Sequence, residues 1–246
     1  MKKYVLLVAM IGLTNSCVVL PPPIYAHHLK SKGSYPVAQK VGVIVLDQGH
    51  RDGYKNSFED AYGDRAGYCE AIGQIVTQHM TQFVPAEFIM VDEDVAMRLA
   101  SALQEGRFDT HAIGAELNSL HQNIDQFLIV TRWDIGKNNR TQPSGFTNQN
   151  GMPSTTTISV CSVRLKGGLF GRQGEVLEYG SSIRERDVNM FGFATALQEA
   201  TILSGTTLVD LFMRRLAPQN ISNQTGRPYD QAYGHEPSLD DLGLDD

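Results

Sequence analysis

Cysteine is scarce in this chain, with three residues among 246. So few cysteines exclude a disulfide-dense scaffold. Positive charge is also in the minority, because 21 Lys and Arg residues stand against 27 Asp and Glu residues and leave a net charge of −6. A nucleic-acid partner is therefore not expected. Apolar residues make up 41% of the chain, which is enough for the core of one large domain.

Recognisable catalytic motifs are missing as well. The sequence contains no HExxH, no GxSxG and no phosphate-binding P-loop. The glycines between 167 and 174 lie between two predicted strands rather than before a helix, which argues against a phosphate cradle. The sequence therefore predicts a protein that has no cofactor and is not an enzyme.

The N-terminus has the pattern of a secretory signal peptide. Lys2 and Lys3 precede an apolar run of ten residues from Tyr4 to Leu13, which is followed by small and polar residues. Ten helical residues span only about 15 Å, half of the hydrocarbon core of a bilayer. Residues 1–16 are therefore interpreted as a signal peptide rather than a membrane span.

The residues from Leu13 to Cys17 resemble a bacterial lipobox, in which the cysteine is acylated and becomes the new N-terminus. The match departs from the family pattern at Thr14, where Leu is preferred. The resemblance implies palmitate on Cys17, and Val18 after it implies a lipoprotein of the outer membrane that faces the periplasm. The alternative is ordinary signal-peptidase cleavage near Ser16 or after Ala26, which gives a soluble periplasmic protein.

The mature chain divides into three segments by composition. Residues 17–40 carry three consecutive prolines, two adjacent histidines and three lysines, and are predicted to be a lipidated, Pro-rich tether. Residues 41–217 are predicted to be a single α/β domain. Residues 218–246 are polar and acidic and are predicted to be a disordered tail.

Periodicity predicts an α/β (α+β) fold for the domain. Apolar runs predict buried strands, and apolar residues at helical spacing predict four helices. The predicted strands are 41–46, 88–91, 127–133, 156–165 and 174–184, and the predicted helices are 65–83, 92–103, 112–122 and 195–216. The order β-α-β-α-α-β-β-β-α predicts a mixed sheet of about five strands flanked by helices. The polar segment 134–154 is predicted to be a long loop, either a binding loop or disordered.

This order of elements resembles a family of envelope lipoproteins that share the fold of the TolB N-terminal domain. The family includes the curli-secretion-channel lipoprotein and the lipoprotein activators of penicillin-binding proteins. The residues that carry the resemblance are Leu13 to Cys17, Val41 to Leu46, the helix ending at Phe83, Phe88 to Leu103, Asp125 to Trp133 and the final helix to Leu216.

The resemblance implies a non-enzymatic protein that binds another envelope protein or supports the assembly of an envelope complex. A second hypothesis is a homo-oligomeric accessory of secretion or transport. We do not infer pore formation from this resemblance, because segment 134–154 lacks the alternating apolar residues of membrane-crossing strands.

The segment after the first predicted strand holds the candidate catalytic residues. Asp47, His50, Asp52 and Asp60 follow that strand, where ligands bind in open α/β sheets. Carboxylates and a histidine there could hold a divalent metal, so a periplasmic metal-dependent hydrolase is the alternative function. A solvated loop with local ion pairs is the favoured interpretation.

Aromatic residues and thiols add two further hypotheses. Tyr54, Phe58 and Tyr62 in the same segment could form a loop that contacts a protein partner. Cys69 and Cys161 could pair in the periplasm or remain two buried free cysteines.

Overall fold

The computed structural model describes residues 24–31, 38–51, 55–91, 93–104, 107–120, 123–147, 153–188 and 192–216. The predicted signal peptide, Cys17 and the predicted acidic tail lie outside these ranges. The described strands are β1 (Ile24–Ser31), β2 (Lys40–Val45), β3 (Gly49–Arg51), β4 (Glu87–Met90), β5 (Leu103–Gln104), β6 (Arg107–Phe108), β7 (Gln126–Thr147), β8 (Pro153–Gly171) and β9 (Val176–Asp187). The described helices are α1 (Lys55–Tyr62), α2 (Arg65–Met80), α3 (Glu93–Ala102), α4 (Thr110–Ser119) and α5 (Gly192–Leu216).

Seven strands form one mixed sheet in the order β1-β9-β8-β7-β2-β4, with β3 also paired to β7. Strand β2 lies parallel to both β4 and β7, whereas β7, β8, β9 and β1 are antiparallel neighbours. Helices flank this sheet, so the predicted α/β class with a mixed sheet is confirmed. The five predicted strands are all present, and β1, β3 and the small β5–β6 pair are additional.

Helices cover both faces of the sheet and create two hydrophobic clusters. Helices α1, α2 and α5 pack on one face against Val41, Val43 and the neighbouring strands. Helices α3 and α4 pack on the other face, against Ile44, Phe127 and Ile129. Because successive side chains of a strand point to opposite faces, a continuous apolar run such as Val41–Leu46 fills both clusters.

Local sequence signals explain where α2 begins and which face it buries. The Asp64 carboxylate accepts a hydrogen bond of 2.8 Å from the Gly67 amide and caps the helix. The apolar residues that recur at helical spacing are all buried, namely Tyr68, Ile72, Val76 and Met80. Within the described ranges, none of the helices combines the length and the hydropathy needed to cross a bilayer.

The strand β1 corrects the prediction that residues 17–40 are a tether throughout. Ile24 pairs with Arg184 of β9, and Ser31 pairs with Glu178. Eight residues of the predicted tether therefore belong to the sheet, and the domain begins before Val41. An edge strand gains its stability from backbone hydrogen bonds to a distant partner, which the local composition of residues 24–31 does not reveal.

The segment 134–154 is not the predicted loop. Most of it continues β7 to Thr147 and begins β8 at Pro153, so that the two strands form one long antiparallel hairpin. We call its outer part, residues 139–147 and 153–159, the arm. The arm extends beyond the last pair between β8 and β9, Val160 with Asp187. The residues of the arm have no alternating apolar pattern, and periodicity therefore failed to reveal the strands.

A close approach between Gly49 and Trp133 gives a test of this packing. A Cβ atom at Gly49 would overlap the buried Trp133 ring, because residue 49 pairs with residue 133. We expect Gly49→Ala to lower the free energy of unfolding by about 1–3 kcal/mol through overpacking, measured by urea denaturation. Gly136→Ala is the control, because its Cβ meets only the Ser162 hydroxyl. Equal unfolding midpoints for the two variants would contradict this account.

Candidate functional site

A cavity of about 340 Å³ opens past the carboxyl end of β2, at the border of the α3–α4 layer. Residues from six parts of the chain converge on the cavity. They are Asp47, Gln48, Gly49, His50, Arg65, Leu103, Thr131, Arg132, Lys166 and Tyr179.

Arg65, the first residue of α2, is held against one wall of the cavity. Its Nε donates hydrogen bonds of 2.7 and 2.9 Å to the two carboxylate oxygens of Asp47. Its Nη2 donates a hydrogen bond of 3.1 Å to the carbonyl of Gly49. The guanidinium also lies 4.6 Å from the ring centroid of Trp133. The hydrogen bonds to Asp47 raise the pKa of Arg65 further above its ordinary value, so the side chain stays charged.

A β-bulge in β7 forms the opposite wall. The pairing of β7 with β8 shifts register between Val130 and Arg132, and both Thr131 and Arg132 line the cavity as a result. The hydroxyls of Thr131 and Tyr179 lie 2.7 Å apart. Arg132 pairs directly with Lys166 across the two strands. The bulge thus places neighbouring polar side chains of one strand in the same cavity.

The lining of the cavity is predominantly cationic. Arg65, Arg132 and Lys166 stand against one lining carboxylate, Asp47. Asp134 lies just outside the lining, and both its oxygens accept hydrogen bonds of 3.1 Å from the Nε of Arg132. This local excess of positive charge contrasts with the net charge of −6 of the whole chain. The arrangement is suited to bind an anion rather than a metal cation.

The structure brings together two of the four predicted metal or catalytic candidates. Asp47 and His50 line the cavity, whereas Asp60 is exposed on α1 and Asp52 lies outside the described residues. Among the described residues there is no cluster of three or more His, Cys, Asp or Glu side chains able to hold a metal ion.

Sequence analysis missed the cavity residues on the central strands. Thr131, Arg132, Lys166 and Tyr179 belong to three different strands, and no motif joins them. The one available signal was the appearance of charged residues directly after apolar runs. Such a signal does not show which strands become neighbours.

The predicted contact loop is instead part of the hydrophobic core. Residues 55–62 form α1, and Phe58 is 2% exposed, with its ring stacked 6.1 Å from that of Trp133. Tyr62 is half-buried, and its ring lies 4.8 Å from that of Tyr68; burial raises the pKa of Tyr62 to about 12. The buried ring of Phe58 is not available to a protein partner, the half-buried Tyr62 remains a predicted contact residue, and Tyr54 lies outside the described residues.

The two thiols of the domain are free in the structure. Cys161 on β8 is buried in the cluster beneath α2 and α5, whereas Cys69 on α2 is half-buried with its sulfur 4.0 Å from the carbonyl of Leu46. The sequence left open whether Cys69 and Cys161 form a disulfide, and the structure has no disulfide between them. Burial raises the pKa of Cys161 to about 12, because the thiolate would lose its hydration.

The high pKa of Cys161 predicts its reactivity. In a Cys17→Ser background at pH 8, we expect Ellman's reagent to label Cys69 in the folded protein and Cys161 only after unfolding. Cys161→Ala is the matched control and should leave the folded-state labelling unchanged. The free energy of unfolding should also fall between pH 9 and about 12, because the unfolded chain ionises this thiol first. Rapid labelling of two thiols in the native state would contradict the assigned burial.

Comparisons with known proteins show similarity to solved structures alone, at low TM-scores. No protein-family model matches the chain, and no curated protein matches it. Similar solved structures include the PelC dodecamer from Paraburkholderia phytofirmans, with TM-score 0.36, 14% identity, and coverage of 76% of this chain and 96% of that one. A neuraminyllactose-binding hemagglutinin homolog from Helicobacter pylori has TM-score 0.39 and 6% identity, with coverage of 81% of this chain and 96% of that one.

A minor lipoprotein from Acinetobacter baumannii is a further similar structure, with TM-score 0.30, 8% identity, and coverage of 73% of this chain and 93% of that one. These neighbours thus include a bacterial lipoprotein and a dodecameric assembly. Likeness at this level does not transfer a function to the present chain.

Proposed function

We propose that this protein is a non-enzymatic lipoprotein of the bacterial outer membrane that binds another envelope protein through the arm. The observation that carries the proposal is the arm itself, a two-stranded ribbon that extends past the end of β9. The side chains of Thr141 and Thr155–Thr157 are exposed there. An isolated two-stranded ribbon is at best marginally stable in water, so a partner that covers the arm would add stability.

The position of β1 supports a partner at the membrane. Ile24 pairs with Arg184, which in turn pairs with Val163 of β8, close to the base of the arm. The N-terminus of β1 and the arm therefore lie at the same end of the sheet. Seven residue steps separate Cys17 from Ile24, and a chain of that length spans at most about 25 Å. A lipid on Cys17 would hold this end of the domain near the membrane surface.

Binding rather than catalysis is also favoured by the state of the candidate acid–base residues. Asp47 has both carboxylate oxygens engaged by Arg65. Asp60 is exposed on α1 and does not line the cavity. A general base needs an available carboxylate or imidazole within reach of a substrate, and of the four candidates only Asp47, which is held by Arg65, and His50 line the cavity.

The lipid anchor is tested by palmitate labelling with membrane fractionation. We expect label on the wild-type protein and on Cys69→Ser, and none on Cys17→Ser, which should become soluble. A soluble, unlabelled wild-type protein cut near Ser16 would contradict the anchor. Cleavage after Ala26 would contradict it too, and would also remove the first three residues of β1.

Photo-crosslinking in living cells tests the arm as the binding surface. We expect a photoreactive amino acid at Thr141 or at Thr156 to give a discrete adduct with an envelope protein. The control position is Ser101, which is exposed on α3, in the layer beside the cavity. An adduct with twice the mass of the 27.1-kDa chain would instead favour the homo-oligomeric accessory. No adduct from either arm position would contradict the proposal.

Shortening the arm separates its binding role from folding. Thr141 pairs with Thr157, so an Asn-Gly turn can join them in place of residues 142–156. We expect the melting temperature to change by no more than a few degrees, because the deleted side chains that the structure describes, Ser144 and 154–156, belong to neither hydrophobic cluster. Adduct formation from Thr141 should be lost. A shortened protein that still forms the adduct would show that the partner binds elsewhere.

A further inference from the structure

We propose that the cationic cavity is a binding site for a small hydroxylated anion, a sugar acid or a sugar phosphate of monosaccharide size. The proposal concerns a site separate from the arm and does not depend on the arm's partner. It is carried by the convergence of Arg65, Arg132 and Lys166 on one cavity past the carboxyl end of β2. In open α/β sheets, that end of the strands is where ligands bind.

The pairing of Arg132 with Lys166 indicates where the anionic group binds. These two residues are directly opposite on neighbouring strands, and like charges in that position destabilise a sheet. Asp134 offsets the charge of Arg132 from beside the cavity. An oxyanion between Arg132 and Lys166 would receive charge-assisted hydrogen bonds from both.

The remaining lining indicates the other part of the ligand. Asp47 would repel a second anionic group, whereas its carboxylate can accept a hydrogen bond from a ligand hydroxyl. The hydroxyls of Thr131 and Tyr179, together with the imidazole of His50, can donate to or accept from further hydroxyls. The ligand would therefore direct its oxyanion toward β7 and β8 and its hydroxyl groups toward the β2–β3 turn.

The volume of the cavity limits the size of the ligand. About 340 Å³ lies near the lower end of the roughly 300–1,000 Å³ of small-molecule pockets. A single sugar ring with one anionic substituent fits this volume, whereas a long polymer would have to extend outside it. Arg65 is already held by Asp47, Gly49 and Trp133. Its side chain would therefore lose little conformational entropy when a ligand binds.

Isothermal titration calorimetry of the purified mature protein at low ionic strength tests the site. The probes are glucuronate and N-acetylmuramate for the carboxylate class, glucose 6-phosphate for the phosphate class, and glucose as the neutral control. We expect at least one anionic probe to bind and glucose to bind at least about tenfold more weakly, because glucose lacks the charge-assisted hydrogen bonds. Which anionic probe binds identifies the class. Fluorescence of Trp133, the single tryptophan, provides a second readout because Arg65 contacts its ring.

Variants that each replace one cationic side chain test whether the ligand binds in this cavity. We expect Lys166→Gln and Arg132→Gln each to lower the affinity for the anionic probe by about tenfold or more. Lys40→Gln is the control, because Lys40 is a half-exposed cation at the other end of β2, paired with Glu87 at 3.0 Å. Unchanged melting temperature and circular dichroism establish that the variants are folded. If Arg132→Gln does not fold, the Lys166→Gln variant alone tests the site, because Lys166 is half-exposed.

Three results would overturn the proposal. The first is the absence of binding for all three anionic probes at millimolar concentration. The second is equal affinity for glucose and the anionic sugars. The third is an equal loss of affinity in Lys40→Gln and Lys166→Gln, which would show that general charge rather than this cavity attracts the anion.

Discussion

The packing of Trp133 connects the hydrophobic core of this protein to its cavity. One part of the buried indole contacts the rings of Phe58 and Tyr68, which belong to α1 and α2. The ring also contacts the guanidinium of Arg65 and leaves no space for a side chain at Gly49. Because Arg65 in turn holds Asp47, the position of a single aromatic ring determines where the cationic wall of the cavity lies.

The hairpin of β7 and β8 serves three purposes along its length. Residues before the bulge supply apolar side chains to both clusters, and residues after it, such as Trp133 and Val163, supply the cluster beneath α1, α2 and α5. The bulge itself places Arg132 opposite Lys166, and the outer part of the hairpin forms the arm. The hairpin thus contributes to the core, to the cavity and to the projecting ribbon.

Much of the fold was predictable from local periodicity, and specific parts were not. Continuous apolar runs such as Val41–Leu46 identified the buried strands, and apolar residues at helical spacing identified α2. Periodicity did not reveal strand β1 or the arm, because neither has an alternating apolar pattern. Strand β1 lies at the edge of the sheet, and the arm extends past the end of β9. Helix α1 lies in a segment whose polar residues concealed the inward-facing Phe58.

The sequence by itself determined the α/β class, the main buried elements and the first two residues of the cavity, Asp47 and His50. These follow from local rules, because the period of apolar residues selects strand or helix and ligands bind after the strands of such sheets. Only the tertiary structure decided that Arg65, Arg132 and Lys166 meet there. Their meeting depends on the register between distant strands and on a bulge at Thr131, and no local spacing specifies such long-range contacts.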